Sequence, residues 1–361
     1  MVNDISSGGC LGDKEDGPLF KFYEVIRDSG DEFMRQASRF QNITLFAPRN
    51  AAWEAPEVKA ILQDTRRVKD ILKMHFVREY LPLDVIERKT NRQVATSLER
   101  TNLYFDVAVG PSGNHSVTVE GGGVNASIIT ANIGATNGII HIIDRVFGVP
   151  YSTVLDKLRT DPTLNSTYHL GNRYEFNEQL GNPKKRYTYF APQDKAWIAL
   201  EVWAPSVQKK LFMDDFSYHT KQILERHLAV GEDLTMKKLV ECSKNGSCAL
   251  KTMRDKVKVI VKENQEQIYP SSQGNQETSR TDNFYDENAI IPNYGGYIIE
   301  WNNKKYKVIR PDVACTNGII HVIDGVLVSE SDVQVTGSGS RSFVTFVLPN
   351  VLTILITKWL L

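Results

Sequence analysis

The sequence predicts an α+β protein made of two tandem copies of one domain. Three blocks occur twice in the same order, which is the pattern of two homologous domains. In the first half they are ITLFAPRNAAW at 43–53, DILKMH at 70–75 and TNGIIHIID at 136–144. In the second half they are YTYFAPQDKAW at 187–197, QILERH at 222–227 and TNGIIHVID at 316–324.

The first half of each copy is predicted to be mainly helical. Thr44–Phe46 is a short β-prone run that Pro48 ends, because proline cannot extend a strand ladder. Asn50 is expected to cap a helix that follows it. Apolar residues and a histidine then share one helical face over 68–76, and the same spacing recurs at 223–227.

The second half of each copy is predicted to be antiparallel β-structure. The predicted strands Leu103–Val109 and Val117–Glu120 bracket the loop GPSGNHS, as the strands of a hairpin do. Val257–Val261 and Tyr297–Glu300 predict the same hairpin in the second copy. An Asn-Gly turn then begins the β-branched strand of each TNG block. Helices followed by antiparallel strands give the α+β class.

Composition indicates a globular protein and excludes two classes of function. Hydrophobic residues make up 41% of the 361 residues and charged residues 24%. The 43 Lys and Arg balance the 43 Asp and Glu, so the net charge is zero. The balance excludes a basic nucleic-acid-binding protein and an acidic disordered protein. We therefore expect no nucleic-acid partner.

The repeat places the domains at 18–150 and 151–330, after a linker at 1–17. The interval between the FAP block and the histidine of the TNG block is longer in the second copy. Most of the extra length is assigned to 262–288, which is rich in Gln, Asn, Ser and Glu. Such a stretch is expected to form a long polar surface loop.

The segment 331–361 has the order of features of a glycosyl-phosphatidylinositol (GPI) attachment signal. Small polar residues fill 331–342, and the nineteen residues 343–361 are almost wholly apolar. At ~1.5 Å per residue, such a helix could just cross a bilayer core of ~30 Å. Ser338, in a run of small residues, is the predicted lipid-attachment residue.

Two other interpretations of this segment stay open. The spacer after Ser338 is shorter than the ~8–12 residues expected of an attachment signal. Pro349 and Lys358 interrupt the apolar run. A retained membrane helix and a soluble terminal helix are the alternatives.

These blocks resemble the conserved motifs of the fasciclin (FAS1) domain. The resemblance covers both copies, from about residue 18 to 330, and implies a wedge-shaped β-sandwich with packed helices in each. The family usually has Tyr before its central histidine, where this chain has Met74 and Arg226. With the C-terminal segment, the whole resembles the membrane-proximal half of insect adhesion proteins of this family. Because 1–17 contains no apolar run, we expect the chain to be N-terminally incomplete or a shortened isoform.

No arrangement of residues predicts catalysis, a cofactor or a metal. His141 with Asp144, and His321 with Asp324, stand three apart in a strand, so their side chains point to opposite faces. We expect buried structural histidines and turn-capping aspartates. The chain has no nucleophile elbow, phosphate-binding loop or zinc-protease motif. The sequence therefore predicts a protein that is not an enzyme.

Cysteine and asparagine residues indicate an extracellular location. A turn at 245–246 would bring Cys242 and Cys248 together, and a local disulfide is predicted there. Two free thiols are the alternative, and Cys10 and Cys315 remain unassigned. Five N-glycosylation sequons occur, at Asn42, Asn114, Asn125, Asn165 and Asn245. We therefore expect the protein to be located on the outer face of the plasma membrane.

The leading functional hypothesis is a cell-surface adhesion protein that binds copies of itself, receptors or matrix. Pro311-Asp312-Val313 resembles a segment through which some FAS1 domains engage integrins, so Asp312 and Val313 are candidate receptor contacts. The alternative role of Asp312 is to cap a turn. The second hypothesis is a soluble matrix protein that binds glycosaminoglycans through the basic runs 184–186 and 304–307. The sequence does not identify the partner.

Overall fold

A computed structural model describes residues 17–88, 93–109, 115–244, 246–253, 256–263 and 296–334. The linker 1–17 lies almost entirely outside these residues, as does nearly all of the insertion 262–288. The segment 335–361, with Ser338, also lies outside them. Sequons Asn114 and Asn245 and the thiol of Cys10 are likewise not described.

Two seven-stranded sheets organise the described residues, one in each predicted domain. The first domain contains β1 (Ile43–Pro48), β2 (Phe76–Val77), β3 (Gln93–Ala95), β4 (Asn102–Val109), β5 (His115–Gly121), β6 (Val124–Ala135) and β7 (Gly138–Ile143). The second contains β8 (Tyr187–Pro192), β9 (Leu228–Val230), β10 (Cys248–Lys251), β11 (Lys256–Glu263), β12 (Tyr297–Trp301), β13 (Lys304–Cys315) and β14 (Gly318–Ile323).

Short helices pack on these sheets. In the first domain they are α1 (Phe20–Asp28), α2 (Asp31–Arg39), α3 (Pro56–Ile61), α4 (Thr65–Met74) and α5 (Leu83–Arg88). In the second they are α6 (Val154–Thr160), α7 (Asn165–Arg173), α8 (Asp194–Trp203), α9 (Pro205–Leu211), α10 (Ser217–Arg226) and α11 (Met236–Ser243). The 3₁₀ helices are Asn50–Glu54, Asn177–Gly181, Asp214–Phe216 and Glu330–Val333.

The two sheets have the same strand order. The first runs β2-β1-β7-β6-β5-β4-β3, and the second runs β10-β11-β12-β13-β14-β8-β9, which is the same order from the other end. The FAP strand and the TNG strand pair in parallel in each domain, whereas the other pairs are antiparallel. The predicted hairpins β4–β5 and β11–β12 are confirmed.

The long strands β6 and β13 change register twice against their TNG partners. Such bulges bend a strand and increase its twist. Each bent sheet buries a core on both faces. On β7, for example, Ile140 packs with the α1 and α4 core, while Ile143, three residues further along, packs with the β3–β5 core. Because successive side chains of a strand point to opposite faces, each sheet packs against a core on both sides.

One predicted helix start is wrong. The residues around Trp53 form a 3₁₀ helix whose start has no side-chain cap. Asn50 instead accepts a hydrogen bond from the backbone N–H of Lys21 and donates one to the carbonyl of Gly17 (3.0 and 2.8 Å). Its side chain therefore fixes the beginning of α1, a contact between segments about thirty residues apart.

Glycine after the Asn of each TNG block is required by the parallel pairing. A Cβ on Gly138 would overlap the carbonyl oxygen of Ile43, and one on Gly318 would overlap that of Tyr187. The preceding Asn317 is buried and donates to the carbonyls of Leu180 and Asn182 (2.8 and 3.1 Å). The predicted turns are present, and this asparagine also holds the neighbouring 3₁₀ helix to the sheet.

Candidate functional site

The two histidines that follow α4 and α10 are buried hydrogen-bonding bridges. The backbone N–H of Phe147 donates to His75 Nε2 (3.1 Å), so the ring proton is on Nδ1, which donates to the carbonyl of Ile71 (2.8 Å). His227 makes the equivalent bonds with Leu327 and Ile223. Burial lowers the pKa of both imidazoles to about 4. They are therefore neutral at physiological pH and join a helix end to the chain after the TNG strand.

The histidines of the TNG strands are buried in the same way. His141 Nε2 donates to the carbonyl of Leu81 (2.7 Å), and His321 Nε2 donates to that of Leu234 (2.8 Å). Each Nδ1 accepts a backbone N–H from the bulge of the neighbouring strand. Burial lowers the pKa of both rings. All four rings are enclosed by the protein, which supports the structural role predicted for them.

The paired aspartates cap strands rather than act with these histidines. Asp144 accepts the backbone N–H of Ser127 and Asp324 accepts that of Lys307, both at 2.7 Å. Among the described residues, no three His, Cys, Asp or Glu side chains gather in a group that could hold a metal ion. Asp144 and Asp324 therefore bind backbone N–H groups and do not form acid–base pairs with His141 and His321.

Asp312 and Val313, the candidate receptor contacts, lie in the bulge of β13. The Asp312 carboxylate accepts the backbone N–H of Met236 at the start of α11 (2.8 Å). Its backbone adopts a positive φ of 53°. Val313 is buried and packs in the helical core of the second domain. This geometry favours the capping interpretation of Asp312.

The predicted disulfide is confirmed. Cys242, at the end of α11, is bonded to Cys248, at the start of β10, with their Cα atoms 5.2 Å apart. Cys315 is a buried free cysteine, and burial raises the pKa of its thiol to about 12. Its thiol is therefore protonated and enclosed, as expected of an unreactive cysteine.

The described sequons differ in their surroundings. Asn42 and Asn165 are exposed. Asn125 is half-buried, and its Oδ1 accepts a hydrogen bond from the ammonium group of Lys157 (2.8 Å). Lys157 is itself buried. The Asn125 side chain is thus engaged inside the protein, whereas the other two face solvent.

The two basic runs do not form one patch. Residues 184–186 precede β8, at the end of the sheet where Tyr187 pairs with Gly318. Residues 304–307 begin β13 at the other end, where Val308 pairs with Ile323. Lys305 also lies 3.8 Å from the carboxylate of Glu300. Because the two basic runs lie at opposite ends of the sheet and Lys305 is close to a carboxylate, the structure gives little support to a glycosaminoglycan site.

A buried ionic cluster joins the two domains. Arg310 of β13 donates to Glu120 of β5 in the first domain (2.5 Å) and to Asp161 beyond α6 (2.7 Å). Lys157 of α6 lies 3.3 Å from the same Glu120 carboxylate. All four side chains are at most 9% exposed. Two basic and two acidic groups therefore compensate one another where water is nearly excluded.

The charges in this cluster stabilise one another. Burial favours neutral Asp161, but Arg310, Lys157 and a hydrogen bond from Thr163 outweigh it and lower the pKa of the carboxyl group. Burial likewise favours neutral Arg310, but Glu120 and Asp161 raise its pKa. Separating the domains would break the pairs that Glu120 forms with Arg310 and Lys157. The cluster therefore favours a single relative orientation.

Three further contacts surround the cluster. The hydroxyl of Tyr104 in β4 donates to the carbonyl of Ile309 (3.3 Å). Arg100 forms an ion pair with Glu263 at the end of β11 (2.5 Å). The backbone of Gly123 lies so close to Ala314 that a Cβ there would overlap it. The first domain thus meets the second along β11 and β13.

Sequence reasoning missed this interface. Its one local signal is Arg310, a charged residue inside a strand, where the matching position of the first copy is Thr130. Arg226, which replaces the usual tyrosine of the family, was noticed but not explained. It donates to both carboxylate oxygens of Asp332 (2.7 and 2.8 Å) and to the carbonyl of Leu327. This arginine ties the C-terminal 3₁₀ helix to the second domain.

Comparison with known proteins identifies the family. The model of the fasciclin domain matches residues 18–150 and 162–329. The chain belongs to the fasciclin domain family. It is 43% identical to fasciclin-1 of Schistocerca americana over 97% of its length, and 43% identical to fasciclin-1 of Drosophila melanogaster over 96%. It spans about half of each relative, 49% and 50% respectively.

A solved structure confirms the fold of this fasciclin chain. It is described as a FAS1 domain pair from the insect cell adhesion molecule fasciclin I. The two share 44% identity and superpose with a TM-score of 0.77, over 89% of this chain and all of the other. The predicted tandem FAS1 pair and the α+β class are confirmed. These similarities point to a family of adhesion proteins rather than enzymes.

Within the described ranges, no helix is both long enough and apolar enough to cross a membrane. The apolar segment 343–361 is outside these ranges.

Proposed function

We propose that this protein is a cell-surface adhesion protein whose two fasciclin domains bind as one unit. The proposal is supported by its identity of 43% with insect fasciclin-1 and by its likeness to a domain pair described as part of an adhesion molecule. Binding can be homophilic or directed at a receptor or matrix component. The test below separates these possibilities.

The observation that carries the proposal is the ionic cluster between the domains. Arg310 and Glu120 belong to different domains, and their ion pair is formed by side chains that are each 9% exposed. A fixed orientation lets both domains contribute to one continuous binding surface, without an ordering cost at each encounter. Adhesion uses many such units facing each other, and multivalency makes weak individual contacts sufficient. A pair of domains held in one orientation is therefore suited to multivalent adhesion between cells.

Attachment to the membrane is proposed to occur through a lipid near Ser338. The support is the order of small residues, spacer and apolar segment over 331–361. Phosphatidylinositol-specific phospholipase C should release the protein from intact cells. Resistance to the enzyme, together with a Trp359-containing peptide in the mature protein, would show that the segment is retained as a membrane anchor.

A two-colour cell-aggregation assay tests adhesion. Suspension cells that express the full chain at their surface are mixed with differently coloured non-expressing cells. Aggregates of expressing cells alone indicate homophilic binding, and mixed aggregates indicate a receptor or matrix partner. Absence of both kinds, at a surface level confirmed by antibody on unpermeabilised cells, would contradict the proposal.

A further inference from the structure

Helix α8 has exposed apolar residues along one side. Ile198, Val202 and Trp203 are 63%, 83% and 43% exposed, and Ala199 beside them is also exposed. These four residues, here named the Trp203 face, share one side of the helix because Val202 and Trp203 follow Ile198 and Ala199 by three to five positions. The opposite side of α8, with Trp197 and Leu200, packs in the core.

The first domain has no equivalent of this face. Its Trp53 is followed two residues later by an Ala-Pro pair, whereas Trp197 is followed seven residues later by Ala204-Pro205. The five additional residues of the second copy extend the helix and include Val202 and Trp203. Because the fold forms without them in the first domain, the face is not a requirement of the fasciclin domain.

The Trp203 face lies at the end of the second domain where the chain leaves it. The ammonium group of Lys304, in the β12–β13 turn, lies 3.8 Å from the centre of the Trp203 ring. Trp301, which pairs with Lys304 across that turn, lies 5.0 Å from the guanidinium of Arg226. Arg226 in turn binds Asp332, next to the last described residues.

A second contact joins the C-terminal exit to the helix that follows the face. Lys210 of α9 donates to the carbonyl of Val333 (3.1 Å), and α9 begins directly after α8. The interdomain contacts are elsewhere on the same sheet, at Glu263, Ile309 and Arg310. Lys304 is five residues from Ile309, or about 17 Å along the strand at ~3.3 Å per residue. The first domain is thus distant from this end.

The chemistry around the face fits a lipid surface. Lys195 and Glu201 of α8 itself are exposed beside the face, as are Lys209 of α9 and Lys304 and Lys305 of β13. Apolar residues with a tryptophan, bordered by lysines, are typical of helices that lie in the interface of a bilayer. The residues after Gln334 are an eight-residue polar stretch, 335–342, and then the apolar segment 343–361. Lipid attachment near Ser338 leaves four residues after Gln334, a tether of at most about 14 Å, which keeps the bilayer near the end of the second domain where the chain leaves it.

We propose that the Trp203 face lies against the bilayer to which the chain is attached. The proposal rests on the membrane attachment described under the proposed function. Contact with the headgroup region would hold the second domain against the membrane in one orientation. It would also direct the first domain, and with it the joined pair, away from the surface.

Fluorescence quenching on the full chain tests this proposal. Val202→Cys is labelled with a nitrobenzoxadiazole dye, and the protein is reconstituted into vesicles of phosphatidylcholine and phosphatidylserine. Ala60→Cys, on an exposed position of α3 in the first domain, is the matched control. Wild type labelled in parallel supplies the signal of the native thiols, which is subtracted. Quenchers are lipid-borne nitroxide and aqueous iodide.

The expected results distinguish the bilayer from other partners. Because an interfacial helix is buried ~5–10 Å into the headgroup boundary, nitroxide should reduce fluorescence at position 202 about twofold and leave position 60 unchanged. Iodide should quench position 60 and not position 202. Iodide quenching at both positions would overturn the proposal. Protection from both quenchers at position 202 would assign the face to a second copy and would also overturn it.

Failure of the attachment itself has a different signature. A chain that does not float with the vesicles has no membrane attachment, and this result overturns both proposals. A chain that floats but shows equal quenching at both positions keeps its attachment and loses only the contact of the Trp203 face.

Discussion

Glu120 in the first domain and Arg310 in the second form an ion pair in which each side chain is only 9% exposed. Lys157 and Asp161 complete the cluster, so that charge is balanced within it. Buried charges are tolerated only when they are paired. The contact between the domains is therefore specific and depends on each of these groups.

Replacing Arg310 with alanine should strongly destabilise the protein. The change leaves Glu120 and Asp161 buried with one cation between them, and loss of one partner of a buried pair costs ~3–5 kcal/mol. Urea unfolding followed by tryptophan fluorescence measures the effect. Lys262→Ala is the control, since Lys262 pairs with Glu300 while 58% exposed and such pairs contribute ~1 kcal/mol or less. Equal losses in the two variants would contradict the role given to the cluster.

Acid should destabilise the fold through its buried histidines. The pKa values of His75 and His227 are about 4 when folded and near 6.5 when unfolded, so between these pH values the unfolded chain binds more protons. The free energy of unfolding should therefore fall as pH decreases through this window. Each histidine should contribute about 2 kcal/mol of loss between pH 7 and pH 5.

The pH dependence is measured by urea unfolding at a series of pH values. A free energy of unfolding that stays constant from pH 7 to pH 5 would show that the buried rings are protonated in the folded protein, contrary to the hydrogen bonds observed.

The disulfide should stabilise the second domain. Cys242 and Cys248 close a short loop, for which chain entropy predicts about 2 kcal/mol. The double variant Cys242→Ser/Cys248→Ser should lose that amount, and its stability should not respond to dithiothreitol. Wild type should lose the same amount when the reductant is added. If wild type is insensitive to reduction, the loop is held by other contacts.

The described sequons should differ in whether they carry a glycan. We predict occupancy at Asn42 and Asn165, which are exposed, and none at Asn125, whose side chain binds buried Lys157. Peptide mass spectrometry of protein from insect cells, with and without glycosidase, measures each site. A glycan at Asn125 in most molecules would be incompatible with the observed contact between the domains.

Much of the fold could be predicted because the same sequence blocks occur in both domains. The repeated blocks located the strands β1, β7, β8 and β14, and the paired strand-like runs located both hairpins. The histidines were correctly expected to be buried, since they stand on apolar faces. Local pattern was sufficient in these places because neighbouring residues determine the structure.

Where partners are distant in sequence, prediction failed. Asn50 resembles a helix cap but binds the backbone of Lys21, which only the tertiary fold brings near. Arg310 and Glu120 are 190 residues apart, and nothing in either local pattern predicts their contact. The helices α1 and α2 were not predicted, since they precede the first recognisable block.

The central claim is that the docked pair of domains mediates cell contact, and a charge reversal at the interface tests it most directly. Glu120→Lys places a third cation beside Arg310 and Lys157 and should separate the domains, which small-angle scattering on the same protein would detect as an increased radius of gyration. Glu57→Lys, on the exposed surface of α3, makes the same charge change away from the interface. In the cell-aggregation assay at matched surface levels, wild type and Glu57→Lys should aggregate cells equally, and Glu120→Lys should aggregate them far less. Full aggregation by Glu120→Lys with its domains separated would contradict the account.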